Sequence, residues 1–483
     1  MDAAAARTVP LKVRSNRSRS GHIAEARGRR SRLLGVDVLR AVAILGMVWA
    51  HFVLTGWLSP APAGKPPAES VSWINGFLGT RSREIFFLLA GLSLALMTGG
   101  HRPHTGKAGS TARKRVAVRA AVLFVLALVL GFLGKWDPQI LHFYALWLLL
   151  LLPLSRLRVR TLLIITGVLA VAAPLFKVAA DRAGTSWPFL PDPMDPKWGH
   201  VHGGFSLLLH PGDWWLTLQH VLFGAGGTTQ DTISVLPFLV LGLALGRMDL
   251  HSHTTRLRLR LLTVGAGTAI AAITFSLIAM YPLGAVDAVH TYKNPPAAAA
   301  LPAAPAPPAD TAPAKPDSGV RQAAAPGPQD VPTPPDMPPP PNAPWQELVT
   351  MGHPGPAEKT FSMTEGMTML GLISALLGGL LILMDKHVWQ RLLRPFAAFG
   401  SMALTWYFAH FMILDVLPTG GGGEPGIPAG RSVLAFVVFT LAALAASLIW
   451  RRYLRRGPLE WLTHQIIVRC VPGPRTAHRH AAP

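Results

Sequence analysis

Ten apolar stretches, each about 15 to 25 residues long, recur along the chain and constrain its fold more than any other feature. A helix needs about 20 apolar residues to cross the hydrocarbon core of a bilayer. The stretches therefore predict an all-α, polytopic integral membrane protein with about ten transmembrane helices. The predicted spans are 33–56, 84–100, 117–134, 140–154, 161–178, 232–249, 259–283, 363–384, 395–417 and 433–451.

The composition agrees with a membrane protein. Hydrophobic residues make up 50% of the 483 residues and charged residues only 14%, whereas a soluble domain has about 25% charged residues. The net charge of +21 does not indicate nucleic-acid binding, because the basic residues form short clusters between apolar segments. We therefore expect membrane lipids, and no nucleic acid, among the partners. The single cysteine, Cys470, excludes an intramolecular disulfide.

The basic clusters also predict the topology. With ten spans, the clusters at 101–119, 155–160, 247–260 and 385–394 all lie on the side of the N-terminus. An eleventh span at 205–224 would move the later clusters to the other side, and the mixed composition of that segment suits an interfacial or re-entrant element better. We predict that both termini are cytoplasmic and that the protein lies in the cell (plasma) membrane.

Composition shifts divide the chain into five predicted parts. Residues 1–32 are a basic, disordered cytoplasmic arm, and 33–283 are the N-terminal transmembrane bundle. Residues 284–362 form a Pro/Ala-rich extracytoplasmic loop, because this composition cannot build a buried core. Residues 363–462 are the C-terminal transmembrane segment, and 463–483 are the cytoplasmic tail.

The first span contains three polar residues that are costly in a membrane. Each charge at the centre of such a helix costs about 2.5–3.5 kcal/mol of insertion free energy. Asp37 and Arg40 are therefore expected to have a structural or functional role. Their spacing of three residues allows an ion pair. His51 lies about 16 Å further along the helix, which is roughly half a bilayer. The helix would then place an ion pair near one membrane face and an imidazole near the other.

Other polar residues are expected near the outer face on this topology. Arg83 and Glu84 begin the second span, His142 begins the fourth, and Tyr407 and His410 lie in the ninth. Singly, each has an ordinary structural explanation: a tyrosine anchors at the interface, a histidine bonds a neighbouring helix, an arginine reaches to phosphates. Their common depth in different spans instead favours a site, with Tyr407 and His410 supporting the others. The four histidines at 200, 202, 210 and 220 match no metal-ligand spacing, so no metal is expected.

A second cluster lies at the cytoplasmic start of the third span. Arg113, Arg115 and Arg119 either only determine the topology or bind the phosphates of a cytoplasmic donor, since guanidinium groups present forked hydrogen-bond donors.

The segment 32–47, with Arg32, Asp37 and Arg40 before an aliphatic run, resembles the opening of the YeiB-like proteins and of the heparan-α-glucosaminide N-acetyltransferases. The segments 140–146 and 236–250 are similar to later motifs of that family. The segments 400–407 and 456–461 of this chain are similar to the C-terminal unit of the family. Arg40 is followed by Ala41 where glycine is usual, and these families commonly have Asn at the position of His51.

The resemblance implies a transmembrane acyltransferase that moves an acetyl or other acyl group from cytoplasmic acyl-CoA to an envelope glycan or small-molecule acceptor. His51 occupies the place of the essential histidine of related membrane sugar O-acyltransferases, and Arg113, Arg115 and Arg119 resemble their arginine motif. The resemblance thus implies a catalytic role for His51 and donor binding for the three arginines. Our mechanistic hypothesis adds three catalytic residues: Glu84 orients the acceptor or relays its proton, and Arg83 or His142 stabilises the developing oxyanion. Asp37 and Arg40 are then a structural pair.

Two other functions remain open at the sequence level. A transporter or exporter of a small molecule or envelope precursor would also place charges within spans. A structural envelope protein would instead depend on the Pro/Ala-rich loop and not on His51. A homo-oligomer is compatible with the sequence but not required by it.

Overall fold

The computed structural model describes residues 33–54, 82–133, 140–182, 210, 212, 214, 233–250, 255–280, 363–416 and 433–472. The predicted N-terminal arm and Pro/Ala-rich loop lie outside these residues, as does almost all of 205–224. Within the described residues the chain is helical, with no strand. The all-α class is therefore confirmed for this part of the chain.

The described residues form thirteen α-helices. In chain order they are α1 (Leu34–Trp49), α2 (Ser82–Met97), α3 (Gly106–Phe132), α4 (Leu141–Leu150), α5 (Val159–Arg182), α6 (Leu236–Arg247), α7 (Thr255–Met280), α8 (Met363–Leu383), α9 (His387–Leu392), α10 (Arg394–Gly400), α11 (Ala403–Val416), α12 (Val433–Tyr453) and α13 (Pro458–Cys470). A π-helical turn, Ala50–Leu54, continues α1, and a 3₁₀ turn, Pro153–Arg156, follows α4.

Several of these helices can cross a membrane. Five described helices are long and apolar enough to do so, and they correspond to α1, α5, α7, α8 and α12. Helices α10 and α11 together would make a sixth, bent by 80° between them. Helices α4 and α6 are apolar but shorter. A helix overlaps each of the ten predicted spans. The number of helices that cross the membrane, and the side of the membrane on which the termini lie, stay predictions.

Helix α1 lies at the centre of the bundle. It packs against α2, α8 and α10, and most of its side chains are buried. Burial of apolar groups on nearly all sides is typical of a core helix and not of a helix at the lipid boundary. The polar residues of α1 are therefore held among other helices of the protein.

Glycines allow the closest helix crossings. A Cβ atom built on Gly91 of α2 would lie 1.9 Å from the carbonyl oxygen of Leu239 in α6, and one on Gly242 of α6 would lie 1.9 Å from that of Leu88. Only a residue without a side chain permits this approach of two backbones. The same requirement holds at Gly400 of α10, whose Cβ would lie 1.9 Å from the carbonyl oxygen of Asp37.

The outer helices expose apolar side chains. In the spanning windows of α7 and α12 only 17% of the residues are buried, although both helices are strongly hydrophobic. Such surfaces are stable in hydrocarbon and not in water. The protein is therefore a helical membrane protein, with α1 in its interior.

Candidate functional site

Two histidines from distant parts of the chain meet at the end of α1. His51 lies in the π-helical turn, and its Nδ1 atom is 3.0 Å from Nε2 of His410 in α11. The two rings are nearly parallel, at 16°, with their centroids 5.1 Å apart. A π-helical turn inside a helix is an unusual conformation that is frequent at functional sites. In this protein the π-helical turn contains His51, the residue predicted to be the catalytic base.

The surroundings of His410 determine which nitrogen of each ring carries a proton. His410 is completely buried, and its Nδ1 atom lies 3.3 Å from the carbonyl oxygen of Trp406. A carbonyl oxygen only accepts hydrogen bonds, so Nδ1 of His410 is the donor and its Nε2 atom is the acceptor. His51 then donates from Nδ1, and in the neutral ring Nε2 of His51 is the basic nitrogen.

Tyr407 joins this pair to two further helices. It lies one turn before His410, with the two ring centroids 5.7 Å apart. Its hydroxyl oxygen accepts a hydrogen bond of 2.9 Å from the backbone N–H of Ile140, just before α4. Its ring also packs edge-on against Phe86 of α2 at 6.2 Å. The starts of α2 and α4 are thereby held next to the histidine pair.

The other predicted outer-face residues lie at these two helix starts. Arg83 and Glu84 begin α2, and Arg83 Nη2 donates to Glu84 Oε1 at 3.4 Å. Glu84 is buried, and so is His142 at the beginning of α4, where its ring packs on Phe143. The structure therefore places Arg83, Glu84 and His142 on the helix ends that Tyr407 contacts. Their catalytic roles stay predictions.

Asp37 and Arg40 form the ion pair that their spacing allows. Arg40 Nη1 lies 2.8 Å from Asp37 Oδ1, and the carboxylate is almost completely buried. Arg40 Nη2 also donates to the hydroxyl of Ser93 in α2 at 3.3 Å. Because the backbone of Gly400 approaches Asp37 as well, the pair lies where α1, α2 and α10 meet.

The arginines of α3 have different surroundings. Arg113 lines a small cleft together with His104, Arg156 and Arg247. Arg115 instead donates from Nε to the backbone carbonyl of Val471 at 3.3 Å, which ties α3 to the end of α13. Arg119 lies partly buried one turn further along α3. Arg113 thus lines the cleft together with Arg156 and Arg247, which were not predicted from the sequence as binding residues.

Arg247 at the end of α6 is a buried residue whose role the sequence analysis missed. Its guanidinium donates to the carbonyl oxygen of Gly100 at 2.7 Å, to Oγ1 of Thr98 at 2.8 Å, and to the carbonyl oxygen of Ser155. It therefore connects the α2–α3 turn to the 3₁₀ turn after α4. The resemblance at 236–250 included this arginine but not its partners, which are distant in sequence.

Glu460 of α13 caps the helix that carries His410. One carboxylate oxygen accepts hydrogen bonds from the backbone N–H groups of Leu404 at 2.7 Å and Thr405 at 3.2 Å. The other accepts from the hydroxyl of Thr405 at 2.6 Å. A carboxylate at a helix N-terminus satisfies free N–H groups and interacts favourably with the helix dipole. The C-terminal motif thereby stabilises α11.

Metal binding has no support within the described part of the chain. No group of three or more His, Cys, Asp or Glu residues lies there in an arrangement that could hold a metal ion. The histidine pair contributes two nitrogens, and they are hydrogen-bonded to each other.

The fold and this site define a helical membrane protein with a histidine pair between helices, of which His410 is fully buried. Residues 32–281 match the model of the family described as heparan-alpha-glucosaminide N-acetyltransferase, catalytic, and residues 345–469 match a protein family of unknown function, DUF418. The chain belongs to the YeiB-like and heparan-α-glucosaminide N-acetyltransferase-like superfamily of transmembrane acyltransferases. No curated protein matches the sequence.

Proposed function

We propose that the protein is an integral membrane acyltransferase that moves an acetyl or other acyl group from cytoplasmic acyl-CoA to an extracytoplasmic acceptor. The acceptor class is an envelope glycan or another envelope molecule. The proposal includes ten spans, both termini in the cytoplasm, and a multi-pass location in the plasma membrane. The family match to a catalytic acetyltransferase domain supports transfer chemistry.

The contact between His51 and His410 carries the proposal. In this pair Nε2 of His51 is basic, which suits a general base. It would take the proton from an acceptor hydroxyl or amine while the acceptor oxygen or nitrogen attacks the thioester carbonyl. The carbon–sulfur bond then breaks, and the imidazolium returns the proton to the leaving thiolate of CoA. Buried His410 keeps the ring of His51 in the required tautomer.

The developing oxyanion needs a positive or hydrogen-bonding partner. Arg83 and His142 are the candidates, since both lie at the helix starts that Tyr407 holds beside the pair. Glu84 is the candidate for orienting the acceptor or relaying its proton, and it lies in contact with Arg83. In a site of low dielectric these electrostatic interactions are stronger than in water.

The donor would bind at the other membrane face. We propose that Arg113, Arg115 and Arg119 bind the phosphates of acyl-CoA, whose pantetheine arm would extend between helices toward His51. Arg113 is the strongest of the three candidates because it faces the cleft that Arg156 and Arg247 also line. Arg115 has a structural partner in the backbone of Val471.

The test uses inverted membrane vesicles that contain the full-length protein and are supplied with radiolabelled acetyl-CoA. Labelled acetyl groups should accumulate on envelope material, and His51→Ala should abolish the accumulation while the protein remains folded and abundant. His387→Ala is the matched control, because His387 is exposed at the start of α9, away from the pair. Full activity of His51→Ala would contradict the assignment of the base. Export of an unmodified envelope molecule, with no acetyl transfer, would favour the transporter.

A further inference from the structure

Helix α13 has an apolar face that no described part of the protein covers. Trp461, Leu462 and Val468 point outward, with 54%, 42% and 40% of their surfaces exposed. The opposite face is packed, since Thr463 and Ile467 are buried. A helix of 13 residues with one apolar face toward the outside is typical of a segment that lies in a membrane interface.

The hydrogen bonds that α13 makes with other described helices come from its other face or its end. Glu460 caps α11, and the carbonyl oxygen of Val471 accepts a hydrogen bond from Arg115. His464 lies near the same arginine, and partial burial together with the charges of Arg456 and Arg115 lowers its pKa. The inner face is therefore occupied by protein, and the outer face is the one available to a ligand.

Helix α13 follows the apolar spanning helix α12 closely in the chain. The apolar spanning helix α12 ends at Tyr453, and α13 begins only five residues later, at Pro458. The indole N–H of Trp450 donates to the carbonyl oxygen of Arg456 at 2.8 Å and closes this connection. Helix α13 thus cannot move far from the end of the span.

Exposed positive charge lies on α13 and on the segment just before it. Arg452, Arg455, Arg456 and Arg469 are exposed, and Glu460, which points inward to α11, is the only acidic residue between positions 451 and 472. Arginine side chains beside apolar groups fit a layer that presents negative headgroups above acyl chains. The short helix α9 has a similar composition, with Val388 and Leu392 exposed next to Arg391.

We propose that α13 lies in the headgroup layer of the membrane and binds anionic phospholipid. Trp461, Leu462 and Val468 enter the boundary of the acyl chains, and the exposed arginines bind the phosphates. Each arginine near an anionic surface strengthens such binding roughly fivefold. This interaction is independent of acyl transfer and does not require the proposed chemistry.

The experiment places a nitroxide label on the outer face of α13. Because Cys470 is the only cysteine of the chain, Cys470→Ser combined with Gln465→Cys gives one labelling position between Leu462 and Val468. The labelled full-length protein is placed in nanodiscs of phosphatidylcholine alone or of phosphatidylcholine mixed with phosphatidylglycerol. The accessibility of the label to a water-soluble nickel chelate is then measured by electron paramagnetic resonance.

We expect the label to be several-fold less accessible in the discs that contain phosphatidylglycerol. Arg452→Gln with Arg455→Gln should remove this difference, and the charge-preserving pair Arg452→Lys with Arg455→Lys should keep most of it. A label at Arg102→Cys, in the exposed turn between α2 and α3, is the control and should not respond to the lipid. Equal accessibility of the Gln465 position in both lipids, with the chain folded, would overturn the proposal.

Discussion

Nδ1 of His51 and Nε2 of His410 lie 3.0 Å apart although 359 positions separate the two residues in the chain. The carbonyl oxygen of Trp406 orients His410 from the far side. A backbone acceptor, a buried imidazole and a second imidazole thus form a chain of hydrogen bonds in which His51 donates from Nδ1. In the proposed reaction His51 acts on the acceptor, and His410 is a positioning residue.

This relationship predicts that the two histidines act as one unit. His410→Ala should lower kcat of acetyl transfer about a hundredfold, because the ring of His51 loses its orienting partner. The KM for acetyl-CoA should hardly change, since in the proposed reaction the phosphates of the donor bind at the other membrane face. The double variant His51→Ala/His410→Ala should be no slower than His51→Ala alone. Losses that multiply in the double variant would show that the residues act independently.

Tyr407→Phe should destabilise the protein. The variant removes the hydroxyl that accepts the N–H of Ile140 in a partly buried contact, and the loss of such a hydrogen bond costs about 1 kcal/mol of unfolding free energy. Thermal unfolding in detergent measures the effect. Tyr453→Phe is the matched control, because Tyr453 is 77% exposed and its hydroxyl should contribute nothing. Equal melting temperatures for the two variants would argue against the contact.

Gly91→Ala and Gly242→Ala should each be strongly destabilising. A methyl group at either position would collide with the backbone of the neighbouring helix, at 1.9 Å from a carbonyl oxygen. Separation of α2 and α6 should cost about 3 kcal/mol or more, seen as low yield of folded protein in detergent. Gly167→Ala and Gly267→Ala are controls with the same chemical change, because no atom lies within 4 Å of a Cβ there.

Glu460→Gln should weaken the start of α11. The amide keeps one oxygen for the N–H groups of Leu404 and Thr405, but it loses the second oxygen that accepts the hydroxyl of Thr405. It also lacks the negative charge that favours a helix N-terminus. We expect a loss of about 1–2 kcal/mol in unfolding free energy. Hydrogen exchange should increase first in α11. Arg469→Gln, exposed on the same helix, should leave both measurements unchanged.

Much of the helical framework can be predicted from the sequence because long apolar stretches have few alternatives in a membrane. A helix overlaps each predicted span, and Asp37 and Arg40 form an ion pair because both lie on one helix at a favourable spacing. The bend of 80° between α10 and α11 is harder to foresee. It depends on how α10 packs against α1 through Gly400, and no local pattern encodes that contact.

Some residues of the site can likewise be predicted from the sequence, and others cannot. His51, Tyr407 and His410 stand out in the sequence because polar groups are costly in apolar segments. Their partners do not, since Ile140 contributes only a backbone N–H and Trp406 only a carbonyl oxygen. Arg247 and Glu460 lie near helix ends, where charged residues are common, so their type alone indicates nothing about what they bind.

The sequence by itself determined that this protein is a helical membrane protein, because hydrophobic length and charge placement act locally along the chain. Its motifs, and not its hydrophobicity, carry the resemblance to the acyltransferase superfamily. Only the tertiary structure decided that His51 meets His410, that Arg113 faces a cleft with Arg156 and Arg247, and that α13 holds α11. These contacts join segments far apart in the chain, and their geometry depends on how glycine-lined helices pack side by side.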